Sequence, residues 1–373
     1  MSCVRRTGGS PRSGECEAPS AKREPGGRPT PARRSRDGGT PKSRSSSGLY
    51  VAIFALAVAC GGSTSSKEHA THDAATMKTP SEPYVLVLGT AQDGGLPQIG
   101  CDEQICRRAR AHPEFRRLVT SLLLCDPRSG RRWLFDAGPD LREQVERAHG
   151  HPPSRVASGA RPPLFEGVFL THAHIGHYTG LMFLGREAYA AHELPVYATA
   201  RMGELLRSAG PWSQLVELGH IELVAIESER AIELASDLTV TPLEVPHRGE
   251  LSDTVAFLIR GPTRKLVYLP DIDKWERWDR PIEKLLAEVD VALLDGTFFA
   301  DGEIPGRSMR DIPHPFIVES FARFAPLPAA ERRKVFFTHL NHTNPASDPE
   351  SAAAARVREA GMDVARELQV LTL

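Results

Sequence analysis

The stretch Gly167-Val168-Phe169-Leu170-Thr171-His172-Ala173-His174-Ile175-Gly176-His177 decides how the chain is read. A short apolar run, the length of a buried strand, ends in three histidines within six residues. Side chains alternate along an extended chain, so His172 and His174 point to the same side. A helical pattern over residues 178–191 follows, and His177 at its start can turn back toward the same point. Neutral imidazoles still need hydrogen-bond partners when buried, which makes three of them a poor core filler. Held on rigid elements, the same three side chains suit a metal ion.

The pattern repeats outward from this stretch. Further strand-length apolar runs lie at 84–88, 118–125, 133–135, 238–245, 255–259, 265–269, 289–294 and 335–337. Helical patterns lie at 201–208, 282–287 and 351–360. Several strands run directly into a ligand-type residue. Phe135 precedes Asp136, Pro270 precedes Asp271, Leu294 precedes Asp295 and Thr338 precedes His339. Asp after a strand is common as a turn former, so one such case means little. The whole set predicts carboxylates and imidazoles gathered along one rim of the sheets. Many strands with interspersed helices predict a mixed α/β domain over 83–373, large enough for two packed sheets. A glycine-rich dinucleotide loop is missing, because no helical pattern opens after Gly94-Gly95.

The remaining sequence has a different character. Of 373 residues with a net charge of −1, the first 48 hold 11 Lys and Arg against four Asp and Glu. Their local +7 leaves −8 for the rest, and a net-acidic body argues against non-specific nucleic-acid binding. Residues 1–48 are rich in Gly, Pro, Ser and Arg and read as a disordered basic leader. The apolar run 49–59, LYVAIFALAVA, is too short to span a bilayer, which takes ~20 apolar residues. With its basic flank it reads as an export signal over 49–60. Ala57-Val58-Ala59-Cys60 resembles a bacterial lipobox with Cys60 as the lipidated residue, although Ala57 stands where Leu is usual. Residues 61–82 read as a flexible linker. The expectation is an exported protein, lipid-anchored on the periplasmic side or cell surface. A start codon downstream of the signal segment would instead leave it cytoplasmic. Six scattered cysteines do not form a disulfide framework.

The histidine cluster resembles the H-x-H-x-D-H motif of the metallo-β-lactamase superfamily. That resemblance spans about residues 84–373 and implies an α/β (α+β) fold, the αββα four-layer sandwich, with metals at one edge. It implies His172, His174, His247 and Asp271 around a first divalent ion, and His177, His339 and Asp271 around a second. Zinc is the first expectation for the cofactor, with iron or manganese as alternatives. Asp136 matches the early aspartate that supports the site. Asp295 is expected to orient a ligand imidazole, and His314 to give a proton to the leaving group. The implied activity is hydrolysis of an ester or phosphodiester in a small molecule by metal-activated water.

Two branches of the superfamily look most similar. Leu88-Gly89-Thr90-Ala91-Gln92-Asp93-Gly94-Gly95-Leu96-Pro97-Gln98 and His339-Leu340-Asn341-His342-Thr343-Asn344-Pro345 resemble coenzyme PQQ synthesis protein B. The opening segment also resembles the cyclic phosphodiesterase of phosphonate catabolism. The first of these implies a rival chemistry, an iron-dependent oxidation; a non-catalytic metal-binding lipoprotein is a third reading. Both branches carry C-x-C-x-x-C after the opening segment, where it holds a structural zinc. Here the corresponding residues are Cys101, Glu103 and Cys106, which leaves a variant zinc site and a Cys101–Cys106 disulfide both open. A second departure falls inside the main motif. Gly176 stands where the superfamily has its aspartate, which leaves the second ion short of a carboxylate. Asp273, a water or nothing at all is left to fill the gap.

Overall fold

Strands with both faces buried read as continuous apolar runs, and their alternate residues face two different cores. The computed structural model shows this for the central strands. It describes residues 80–151, 163–304, 306, 308–309 and 312–373. The leader, the signal segment with Cys60 and nearly all of the linker lie outside the described residues.

The first sheet takes β1 (Tyr84–Gly89), β2 (Ser121–Asp126), β3 (Arg131–Phe135), β4 (Gly167–Phe169), β5 (Leu194–Ala198) and β6 (Ile221–Ala225). The second takes β7 (Ile232–Ala235), β8 (Leu238–Glu244), β9 (Val255–Arg260), β10 (Lys265–Leu269), β11 (Val291–Asp295), β12 (Val335–Thr338) and β13 (Asp363–Val364). The chain then returns as β14 (Val370–Thr372) to the outer side of β1. The orders are β14-β1-β2-β3-β4-β5-β6 and β13-β12-β11-β10-β9-β8-β7. β3 through β6 run parallel, as do β10 through β13, and the other pairs are antiparallel.

Alternation along the strands builds four layers. Val85, Val87, Leu122, Leu124, Phe135 and Phe169 face the second sheet and meet Phe257, Ile259, Leu266, Tyr268 and Leu293. The intervening Leu86, Leu88, Leu123, Leu134 and Val168 face outward and pack on Leu141, Leu181, Met202 and Leu206. On the opposite side Val267, Leu269, Ala292 and Leu294 pack on Leu285, Leu286, Ile317, Phe324 and Val357 from helices. This is the αββα sandwich that the resemblance implies.

Parallel strands in register bring their ends to one level. Leu269 pairs with Leu294, and Asp295 with Thr338, so Asp271, Asp295 and His339 emerge side by side. Phe135 pairs with Phe169 in the first sheet, which brings Asp136 beside the start of the histidine motif. Asp136 and His339 both hold positive φ, 59° and 60°. Non-glycine residues are uncommon there, and such conformations persist only where the surroundings dictate them.

The expected helix over 178–191 does not form. A single α-turn, Ile175–Tyr178, passes into a 3₁₀ segment, Thr179–Leu184, and then into turns. The Gly180 amide donates to Ala137 O at 2.8 Å instead of to its own helix. A Cβ on Gly180 would lie 2.1 Å from Gly138 O, so the segment is pressed onto the loop after β3. Strands β5, β6 and β7 were not expected from the sequence. Their faces are only partly buried, which shortens the apolar runs that mark a strand.

Candidate metal centre

Six side chains from four strand ends converge between the two sheets. β4 leads to His172, His174 and His177; β8 to His247; β10 to Asp271; β12 to His339. Asp271 sits at their centre. Its Oδ2 lies 3.2 Å from Nε2 of His177 and 3.2 Å from Nε2 of His339. Its Oδ1 lies 3.6 Å from Nε2 of His247. His172 Nε2 and His174 Nδ1 face each other at 2.8 Å. The ligand-type atoms of His172, His174, His247 and Asp271 all fall within 4.8 Å of one another.

The two imidazoles of His172 and His174 pair with each other, but the contacts around Asp271 are close without being hydrogen bonds. His177 Nε2, His339 Nε2, both ring nitrogens of His247 and Asp271 Oδ2 are buried without a hydrogen-bond partner. Leaving one such group unpaired typically costs ~1–3 kcal/mol, so five in one place need an explanation. A cation supplies it. Donors held ~2.0–2.2 Å from a tetrahedral zinc stand roughly 3.3 Å apart, close to the 3.2 Å observed around Asp271. The set of imidazoles and carboxylates is that of a zinc, iron or manganese site.

Electrostatics prepare the same atoms. Burial pushes His172 well below the ordinary imidazole range, and His174, His247 and His339 in the same direction. Neutral imidazole is the form that binds a metal. Burial also pushes His177 down, but Asp136 and Asp271 outweigh it and hold that ring well above the usual range. Burial raises Asp271, and the surrounding His339, His172 and His177 more than reverse it, so the carboxylate stays ionised.

A second ring of contacts fixes the imidazoles. Asp136 accepts from His177 Nδ1 at 2.8 Å, from Thr171 N and Oγ1 at 2.9 Å, and from Tyr268 Oη at 3.0 Å. Thr171 Oγ1 also lies 3.0 Å from His172 Nδ1. Such partners orient ligand rings and fix their tautomers. Asp295 differs from expectation. It accepts from His314 Nδ1 at 2.7 Å, and from Ile272 N and Thr297 N at 3.1 and 2.9 Å. It reaches a ligand imidazole only through Thr297, whose Oγ1 bonds both Asp295 Oδ1 and His339 Nδ1. Burial lowers His314, but Asp295 outweighs it and brings the ring up to about 9.

The centre opens into a cavity of about 250 Å³. Gln92, Asp93, His174, Tyr178, His247 and His314 line it, and Ile175 and Leu251 stand exposed at its mouth. Asp273 is not at the second position. Its Oδ1 lies 3.4 Å from His247 Nδ1, on the far side of that ring, and its Oδ2 pairs with Arg277 at 2.8 Å. Asp93, Thr171, Thr297 and Tyr268 are contacts that the strand-end pattern did not single out.

Cys101, Glu103 and Cys106 do not come together as a ligand set among the described residues. Both thiols are free in this structure. Cys106 packs with Leu96 and Ala109, and burial with the neighbouring Cys101 thiol pushes it up to about 11. Glu103 is exposed at the start of the helix Gln104–Ala111.

Residues 131–344 match the family model of the beta-lactamase superfamily domain. Coenzyme PQQ synthesis protein B of Methylobacterium nodulans is 30% identical over 315 residues, 77% of this chain and 99% of that protein. The crystal structure of Zn²⁺-bound PqqB from Methylobacterium extorquens superposes with a TM-score of 0.65 at 24% identity. It covers 78% of this chain and 100% of that one. A diphosphatase from the PhnP family superposes at 0.54 and 22% identity, covering 78% and 99%. The chain belongs to the beta-lactamase superfamily domain family and is a homologue of coenzyme PQQ synthesis protein B.

Proposed function

We propose that this chain is a metal-dependent hydrolase acting on an ester or phosphodiester of a small molecule. The observation that carries the reading is the set of unpaired buried atoms of His177, His247, Asp271 and His339, with His314 beside them at the same cavity. His172, His174, His247 and Asp271 would hold one ion; His177, His339 and Asp271 would hold the other. A divalent ion bound there supplies a Lewis acid and a water whose pKa falls toward ~7.

The chain's own residues do the rest. Asp271 presents one oxygen toward each position, which keeps the two coupled. Asp136 and Thr171 hold the rings of His177 and His172, so the ligand atoms need little reorganisation. Asp295 takes Nδ1–H of His314 and keeps the ring protonated, leaving Nε2–H as the donor that His314 offers the cavity. Its place beside His247, with ring centres 5.2 Å apart, suits proton delivery to a leaving oxygen. Ile175, Tyr178 and Leu251 give the mouth an apolar lip, which favours a substrate with an apolar portion next to the scissile group.

Screening model phosphodiesters and esters against the metal-loaded protein tests the reading. His314→Gln is expected to lower turnover by ~10²–10⁴-fold with metal content unchanged. Because the protonated ring is the working form, wild-type turnover falls as pH rises through about 9. Asp295→Asn removes what holds the ring up, so the same limb moves to lower pH. Equal metal content with no hydrolysis of any ester class contradicts the reading.

A second reading rests on the relatives. The alternative is an iron-dependent oxidation in the making of a PQQ-like cofactor, with the same His and Asp residues holding the iron; it follows from the likeness to coenzyme PQQ synthesis protein B over 99% of that protein. Substrate-dependent oxygen uptake by iron-loaded protein would select it over hydrolysis.

A further inference from the structure

We infer that Asp93 supplies the carboxylate that the histidine motif lacks at Gly176, as a ligand of the second ion. This rests on the metal-centre reading above and goes beyond its ligand set.

Asp93 lies 83 residues before Gly176, in the loop that follows β1. Its Oδ1 accepts from Gly176 N at 3.0 Å. A Cβ built on Gly176 would fall 2.3 Å from that oxygen and 2.8 Å from Asp93 Cα. The carboxylate of one residue therefore occupies the volume where the side chain of the other would begin. Glycine at 176 makes that approach possible.

The oxygen is also aimed at the right atoms. One ligand-type atom each from Asp93, His177 and His339 lie within 4.8 Å of one another. Asp93 Oδ1 stands 3.9 Å from His177 Nε2, which is buried and unpaired, as is His339 Nε2. With Asp271 Oδ2 at 3.2 Å from both imidazoles, the second position gains two nitrogens and two carboxylate oxygens. That is a complete tetrahedral set for a zinc-sized ion.

The loop is braced for such a role. Gln92 N donates to Leu340 O at 2.9 Å, and Leu340 N donates to Thr90 O at 2.8 Å. Asn341 Nδ2 donates to Gln92 Oε1. Leu340 directly follows His339, so the segment that carries Asp93 is clasped to the segment that carries His339. A ligand held this way loses little conformational freedom on binding.

Metal analysis of the full chain, loaded with zinc and then dialysed, tests the inference without any assay of turnover. Wild type should retain two equivalents. Asp93→Ala should retain about one, with second-ion affinity weakened by more than ~100-fold, beyond the 10–100-fold typical of losing an outer-shell partner. Cobalt-loaded protein gives an independent readout: the spin coupling of a two-ion centre should be present in wild type and lost in Asp93→Ala. Asp93→Asn, which keeps shape and removes charge, should weaken the second ion while leaving the circular dichroism unchanged. Two tightly held equivalents in Asp93→Ala would overturn the assignment and leave the metal centre standing. A wild type holding one ion, lost in His172→Ala but not in Asp93→Ala, would also overturn it. No metal in wild type would end both this inference and the reading it rests on.

Discussion

The two ion positions share Asp271 and are otherwise built in different ways. The first draws on His172 and His174, two residues apart on one extended segment, and on His247 at the end of β8. All of its side chains stand where the sequence motif puts them. The second draws on His177, His339 and a loop 83 residues from the motif, because Gly176 has no side chain to give. The contrast shows that what a site requires is an atom at a place, and the chain position that delivers it can change. A glycine in the motif is then no sign of decay; it is the space that another residue uses.

Disturbing the shared support should have the largest effect. Asp136→Ala removes a fully buried carboxylate that accepts from Thr171, His177 and Tyr268. Losing one partner of a buried charged network costs ~3–5 kcal/mol, read by urea unfolding. Because Asp136 steadies His177 directly and His172 through Thr171, both ion positions should weaken together. Loss of the second ion alone would mean that the two halves are less coupled than this contact pattern shows.

Gly176→Asp probes the difference between the halves, with a smaller effect. By motif logic it should restore the second position. By the geometry it should do the opposite, since the new Cβ meets Asp93 Cα at 2.8 Å and must push that loop away. The expected result is ~1–3 kcal/mol of lost stability from overpacking. The second ion should be held no more tightly than in wild type, and the first should be kept. A variant as stable as wild type with tighter second-ion binding would break the comparison.

Much of this was legible in the chain before the fold was known. Apolar strands that run straight into Asp136, Asp271 and His339 mark a rim, and parallel register turns that rim into a site. His314 was visible only through the family resemblance, which places a histidine in a loop of this region. Asp93 was not, because its role depends on a non-local approach to Gly176 that no local period encodes. Asp295 was visible as a support, but its direct pairing with His314 and its indirect reach to His339 through Thr297 were not. The helix expected over 178–191 failed on Gly180, where a close backbone approach to Gly138 overrode a helical apolar spacing. Strands β5 to β7 escaped because partial burial leaves them little apolar sequence to recognise.

Asp271 joins the two ion positions through its two oxygens. Metal stoichiometry of zinc-loaded wild type and Asp271→Ala, measured by inductively coupled plasma mass spectrometry on the full chain, tests it most directly. Two equivalents are expected in wild type and neither in the variant. Retention of either equivalent at wild-type affinity in Asp271→Ala would contradict it.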